Sequence, residues 1–279
     1  RYRVRDHAGN MLGGAMYVWE RGFKRADGST PWWAKTGAVA FAAFAVVATV
    51  GTGSAVQSAA MTGIIESSIP GIPTWVIALV IAIAVALVIF GGIKIISKVC
   101  EKLVPFMAIA YVAVALLILI LNYERIPGAI VEIVQGAFGL RAAAGGALGA
   151  MIVAMQKGIA RGIFSNESGL GSAPIAAAAA KSNEPVRQGL ISMLGTVIDT
   201  IIICTMTGLS IIITGSWNVG LDGVDVTTRA FQVGLPFPAQ VSSFLLMMCL
   251  VFFAFTTILG WDYYSERCLT TCPTITPRQ

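Results

Sequence analysis

Long stretches of this sequence carry no charged side chain at all, and that most limits what it can fold into. Lys35 to Glu66, Glu66 to Lys94, Lys102 to Glu124 and Arg229 to Asp262 each enclose an uninterrupted neutral run, and Arg187 to Asp222 holds a single acid, Asp199. A membrane helix needs about 20 mainly apolar residues. Each gap is long enough, which gives five ordinary spans near 37–64, 74–93, 103–122, 189–214 and 239–262. The composition agrees: 56% hydrophobic, 12% charged, mean hydropathy +0.80. Too little polar surface exists to coat a soluble globule of 279 residues. A disordered chain, a nucleic-acid arm and an ordinary cytosolic enzyme are excluded. The 30 glycines fit membrane helices, whose contacts favour small residues.

The stretch from Arg141 to Lys181 is of another kind. Its roughly 40 residues would make about 60 Å of helix, against a hydrocarbon core of about 30 Å. Polar residues interrupt it in the middle: KGIARGIFSNESGLGSAP. It is read as a sixth span over 145–180, broken near 164–171. Ser, Asn and Gly favour backbone that leaves the helix. Pro174 after Ser172 marks the restart, because Pro is tolerated in a first turn.

The positive charges orient this layout. With spans taken in order on alternating sides, fourteen of the 19 Lys and Arg fall on the side of residue 1, three (Arg125, Arg141, Arg229) on the other, and Lys157 and Arg161 within the broken span. The positive-inside rule places the first side, including segment 1–36, in the cytoplasm. The net charge of +5 therefore orients the chain in a bilayer, and no nucleic-acid partner is implied. Of the outer connections, Ile126–Gly139 has near-helical apolar spacing and is expected at the interface. The stretch TTRAFQVG is expected to form a short helix.

Several polar residues inside the spans could carry chemistry, each with a structural alternative. Unwound backbone at membrane depth is tolerated only where protein buries it or it lines a wet cavity. There it offers carbonyls to a cation, and a half-helix start offers N–H groups to an anion. The alternative is a Gly/Ser kink packed on its neighbours, which the charges Lys157, Arg161 and Glu167 make expensive. Arg161 and Glu167 could also simply pair. Asp199, mid-span, costs roughly 2.5–3.5 kcal/mol on insertion and so needs a partner; it could bind a coupling cation or tie helices together. Gln57 can serve a carboxylate and an ammonium at once, or an interhelical hydrogen bond. Thr256 and Thr257 offer oxygens that suit Na⁺, or they bond back to their own helix. Trp261 follows one turn later and could serve as an interfacial anchor. The repeats Gly145-Gly146-xx-Gly149 and Gly158-xxx-Gly162 are read as helix contacts.

Enzymatic signals are weak. GxSxG, HExxH, GxGxxG and GxxxxGK[ST] are absent. With His7 as the single histidine, no CxxC, and a lone CxxxC at Cys268 and Cys272, neither a catalytic set nor a zinc site is expected. An enzyme is not expected, nor an organic cofactor.

The string GIARGIFSNESGLGSAPIAAAAA, followed by PVRQGL and IDTIIICTMTGL, resembles the signature region of the alanine/glycine:cation symporters, the sodium:alanine symporter family. The resemblance extends to AFTTILGWDYYSERC, GGIKIISKVCEKLVPFMAIAY and YRVRDHAGNMLGGAMYV, covering nearly all of residues 1–268. It implies an all-α, LeuT-like inverted-repeat bundle of the amino acid–polyamine–cation superfamily, in the plasma membrane of a prokaryote. The six spans would be helices three to eight, with the sixth broken. It implies inward symport of alanine or glycine with Na⁺, or sometimes H⁺. Carried over residue by residue, Gln57, Ile163, Phe164, Ser165, Asn166 and Trp261 would meet the substrate, and Thr256 and Thr257 the Na⁺. Arg161, Glu167, Gly169 and Asp199 would serve structure or coupling. Two other readings remain: a channel or non-transporting amino-acid sensor on the same scaffold, and an integral membrane enzyme. The family's broken first helix and the helices after the eighth have no counterpart in this sequence, and Thr270–Gln279 departs from the family pattern. A truncation or reading-frame artefact is expected there, and the chain alone is not expected to transport.

Overall fold

The computed structural model describes residues 2–5, 9, 11–137, 147–167 and 169–271. His7, Arg141, Gly145, Gly146 and the tail from Cys272 onward lie outside the described residues.

The chain opens with a small antiparallel pair, β1 (Val4–Arg5) against β2 (Met11–Leu12), with Val4 opposite Leu12. Helix α1 (Ala15–Gly22) follows. Pro31, fixed in an extended conformation, then starts a continuous helical rod to Ser68: α2 (Trp32–Ala48), a π-helical segment (Thr49–Ala55) and α3 (Val56–Ser68). The Pro–Gly–Ile–Pro turn that follows ends it, and α4 (Thr74–Ile89) begins directly after Pro73. Gly92, at φ 66, turns the chain into α5 (Gly92–Leu121), which carries Pro105 inside. Then come α6 (Ile126–Ala137), α7 (Ala147–Asn166) and α8 (Ala173–Ala178). A second long rod comprises α9 (Pro185–Thr196), a second π-helical segment (Val197–Cys204) and α10 (Thr205–Ile213). The outer helix α11 (Val224–Gly234) leads into α12 (Ala239–Thr271).

Among the described residues, four helices are long and apolar enough to cross a bilayer: Trp32–Ser68, Gly92–Leu121, Pro185–Ile213 and Ala239–Thr270. Thr74–Ile89 is apolar but has 16 residues, short of the usual length of about 20. Helix α7 has 20 residues and carries Lys157 and Arg161. Helix α5 starts at Gly92 rather than near 103, because Lys94, Lys98, Glu101 and Lys102 ride on its first turns. The charge-free gap marks an apolar window, and regular hydrogen bonding runs past it.

Helix α12 is the axis of the packing. Its Leu246 and Cys249 join Tyr111, Ala115, Ile118 and Phe231 in one buried cluster. Ala254 and Ile258 join Met61, Ile77 and Ile81 in a second. Trp261, Tyr263, Tyr264 and Cys268 join Met16, Tyr17, Ala38, Ala42 and Ile175 in a third. The third cluster carries the N-terminal hairpin, α1 and α8 on the end of α12 that holds Arg267. The second rod makes little of this core: α9 and its π segment contain no buried residue.

Candidate functional site

Helix α7 ends at Asn166. The Asn166 side chain closes it locally, its Nδ2 donating to the Gly162 carbonyl at 2.9 Å. Glu167 then takes a left-handed φ of 53, followed by Gly169 at 86 and Gly171 at 76. Three such residues within one short turn exclude helix continuation, since L side chains disfavour that region. Gly171 is needed for a second reason. A Cβ there would lie 2.9 Å from the Phe41 ring, so the turn docks closely on α2. Glu167 tolerates its conformation because its carboxylate accepts the Ser172 hydroxyl at 2.8 Å, with Tyr264 also in hydrogen-bonding reach. The helix restarts at Ala173 with Pro174 in its first turn.

The break is therefore narrower than the sequence suggests. Residues 164 to 166, expected in the unwound segment, are the last helical turn of α7. The second half is only six residues long, too short for an appreciable helix dipole at its start. Its far end is held from a distance. The Arg3 guanidinium donates to the carbonyls of Ala178 (3.3 Å), Ala180 (2.7 Å) and Ser182 (2.8 Å) and to Asn183 Oδ1 (2.9 Å). A Cβ on Gly13 would come 2.6 Å from Ala178, so the hairpin lies directly on α8.

Beside the break is a cavity of about 570 Å³. One wall is Gln57 of α3 with Thr257 and Trp261 of α12; the other is Arg161, Gly162, Ser165 and Asn166 of α7 and Glu167 of the turn after it, with Thr200 and Cys204 of the second π segment. Seven residues singled out from the sequence thus meet in one space: Gln57, Arg161, Ser165, Asn166, Glu167, Thr257 and Trp261. Both charge signs are present, Arg161 and Glu167, and Glu167 takes the Ser172 hydroxyl rather than pairing with Arg161.

The remaining expected residues fall elsewhere. Ile163 is 41% exposed on α7, off the cavity wall. For Phe164 only the backbone is described, so its side chain lies outside the described residues. Gly169 is an exposed turn residue. Asp199 faces a second cavity of about 450 Å³ on the other side of Ser165–Glu167. Thr256 is not on the wall. Both threonines bond back to their helix, Thr256 Oγ1 to the Phe252 carbonyl at 2.9 Å and Thr257 Oγ1 to that of Phe253 at 2.8 Å. Their protons are thereby used and their lone pairs left open. Gly149, Gly158 and Gly162, read as helix contacts, have open space where a Cβ would stand.

Four features of the site have no local sequence signal. The Asp199 carboxylate accepts the Ser165 hydroxyl at 2.5 Å, and Thr200 Oγ1 donates to Asn166 Oδ1 at 2.7 Å. Cys204 is exposed in the cavity, 3.8 Å from Ser165 Oγ. Trp261 is fixed by Gly53 of the first π segment, where a Cβ would come 2.6 Å from the Trp261 Cβ, and by Thr49 Oγ1 donating to the Trp261 carbonyl at 3.3 Å. Widened π turns often mark functional sites, and here one borders each wall. Among the described residues no group of three His, Cys, Asp or Glu could hold a metal ion.

The model of the sodium:alanine symporter family covers residues 1–274. An uncharacterized transporter of Haemophilus influenzae is 51% identical over 271 residues, 96% of this chain and 57% of its own length. The sodium/alanine symporter AgcS of Methanococcus maripaludis is 41% identical over 272 residues, again 96% of this chain and 57% of the relative. The probable sodium/glutamine symporter GlnT of Bacillus subtilis is 36% identical over 269 residues, 95% of this chain and 52% of the relative. The chain thus spans little more than half the length of these relatives. With several apolar helices and a family match across nearly its whole length, it is a multi-pass membrane protein that belongs to the sodium:alanine symporter family.

Proposed function

We propose that this chain forms the central part of a secondary symporter that brings a small neutral amino acid, alanine or glycine, inward together with Na⁺. The observation that carries the reading is the cavity beside the helix break. Arg161 and Glu167 offer the two charges a zwitterion needs, and Gln57, Ser165, Asn166 and Thr257 offer neutral hydrogen-bonding groups around it. Thr257, with Thr256 next to it, is the candidate Na⁺ contact, its proton spent on its own helix and its oxygen free to coordinate. Trp261 would border the substrate, and Gly169 and Asp199 would serve the turn and its coupling. Six spans with residue 1 on the cytoplasmic side, in a LeuT-like arrangement, remain the layout we favour.

In this reading Na⁺ moves inward down its gradient, helped by about 2.3 kcal/mol per charge per 100 mV. Joint binding of ion and amino acid favours closure around the cavity, and rocking of the α7 and second-rod wall against the α12 wall alternates access. H⁺ is the alternative coupling ion. A relative named as a glutamine symporter and a cavity of about 570 Å³ favour a second substrate reading, a larger neutral amino acid. The test is uptake of radiolabelled alanine by the full-length protein in proteoliposomes under imposed Na⁺ or pH gradients, with glycine and glutamine as competitors. Uptake indifferent to both gradients would sink the proposal, and preferential displacement by glutamine would move the substrate assignment. Binding without flux would favour a sensor, and currents beyond carrier turnover a channel.

A further inference from the structure

We propose that Asp199 is a positioning residue that fixes the hydrogen-bond polarity of Ser165 at the cavity wall. The inference rests on reading the cavity as an amino-acid and cation site. A serine hydroxyl has one proton and two lone pairs. Ser165 spends its proton on Asp199 Oδ2 at 2.5 Å, a short, charge-assisted bond. Its other neighbour, Cys204 Sγ at 3.8 Å, is a weak partner. Toward the cavity Ser165 Oγ is therefore an acceptor only, with its electron density raised by the carboxylate behind it. Such an oxygen suits a primary ammonium or an alkali cation and opposes a carboxylate.

The second π segment supplies both partners of the last α7 turn. Asp199 and Thr200 are consecutive, as are Ser165 and Asn166, and both pairs engage. Consecutive residues of a regular α-helix point about 100° apart. The widened turn brings Asp199 and Thr200 to bear on the last turn of α7 together. Thr200 and Gly162 fix the Asn166 carboxamide, which keeps one N–H and one lone pair and so stays both donor and acceptor. Ser165 is the member of the pair held to a single polarity, and Asp199 decides its sign without touching the ligand.

A double-mutant cycle tests this with two readouts. The first is the alanine KM in proteoliposomes of the reconstituted protein. Asp199→Asn and Ser165→Ala are each expected to raise KM about tenfold, the size of a lost hydrogen bond to a charged group, with Vmax little changed. Asp199→Asn is expected to add nothing further in the Ser165→Ala background, whereas Ser165→Thr, which keeps the hydroxyl, retains the dependence on Asp199. The second readout needs no transport. It is the ratio of Cys204 modification rates by a cationic and an anionic methanethiosulfonate. Asp199→Asn is expected to lower that ratio severalfold in the wild-type background and to leave it unchanged in the Ser165→Ala background. Additive effects in both readouts would overturn the proposal, since they would mean that the Asp199 charge acts directly. Absence of alanine uptake by the unmutated full-length protein would refute the functional reading, and the thiol ratio would still decide the polarity.

Discussion

The two walls of the cavity are built on different principles. On the α12 side, 39% of the most apolar stretch is buried, and Gly53 of the facing π segment lets Trp261 approach closely. On the second rod the corresponding figure is 11%, α9 buries nothing, and residues 152–163 of α7 are exposed throughout. What joins α7 to that rod is a short set of polar bonds, Ser165 to Asp199 and Asn166 to Thr200. Close-packed interfaces are bistable and resist small shifts, whereas a few hydrogen bonds register two elements while leaving them free to move as a pair. The contrast predicts that the α12 wall is the frame and the α7 wall the part that moves.

The largest expected effect tests the frame. Gly53→Val places side-chain atoms where even a Cβ would stand 2.6 Å from Trp261 Cβ. Overpacking of this kind costs about 1–3 kcal/mol, so alanine uptake should fall at least about tenfold and the melting temperature should drop. Gly234→Ala, 2.7 Å from Ile118, should lower stability similarly without altering the cavity. Next comes the joint between the two regions. Arg3→Ala strips the carbonyls of Ala178, Ala180 and Ser182 of their donor and should cost about 1–3 kcal/mol. Hydrogen exchange across 178–184 should rise about tenfold or more as a result, and Arg3→Lys, lacking the planar fork, should recover only part. A smaller effect is chemical. Cys204 is exposed in the cavity while Cys249 and Cys268 are buried, so a maleimide should modify Cys204 first. Alanine should slow the reaction a fewfold, and Cys204→Ser should abolish this fast, alanine-sensitive phase. The smallest effect is on the mobile wall. A Cβ at Gly189 or Gly195 meets nothing within 4 Å, and Ala exceeds Gly in helix propensity by about 0.8–1.0 kcal/mol. Each change to Ala should be neutral or slightly stabilising in a melting assay. A severe loss there would mean that this face is covered by another element, and the contrast between the walls would collapse.

Much of this was legible in the sequence because it depends on local composition. Charge-free gaps located the apolar windows, since no charge is tolerated at depth without a partner. The turn after Asn166 was visible in NESGLGSAP because glycines and a proline constrain φ wherever they occur. Gln57, Arg161, Ser165, Asn166, Glu167, Thr257 and Trp261 converge in the cavity, and their polarity inside apolar runs was the clue. What escaped notice depends on distance. Arg3 finds its carbonyl partners some 175–180 residues away, and nothing near Arg3 in the chain encodes them. Thr200 and Cys204 read as ordinary members of IDTIIICTMTG until the turn widens and presents them. Helix ends were misplaced for the same reason: Lys94 and Lys98 break the apolar pattern of α5 while continuing its hydrogen bonds.

The two π segments give the molecule a mechanical property that neither packing nor polarity supplies. A π turn is a dislocation in a helix, one residue of surplus in an otherwise regular winding. Such a defect moves by exchanging hydrogen-bond partners one residue at a time, without lengthening the rod or cutting it. Each step turns the residue it passes by roughly 100° about the axis and leaves the regular turns on either side in register. Gly53 lies within one such defect and Asp199 within the other. A step past either would disengage Trp261 or Ser165 as a gear tooth leaves its slot, so each of these two long helices carries its own escapement at the level of the cavity.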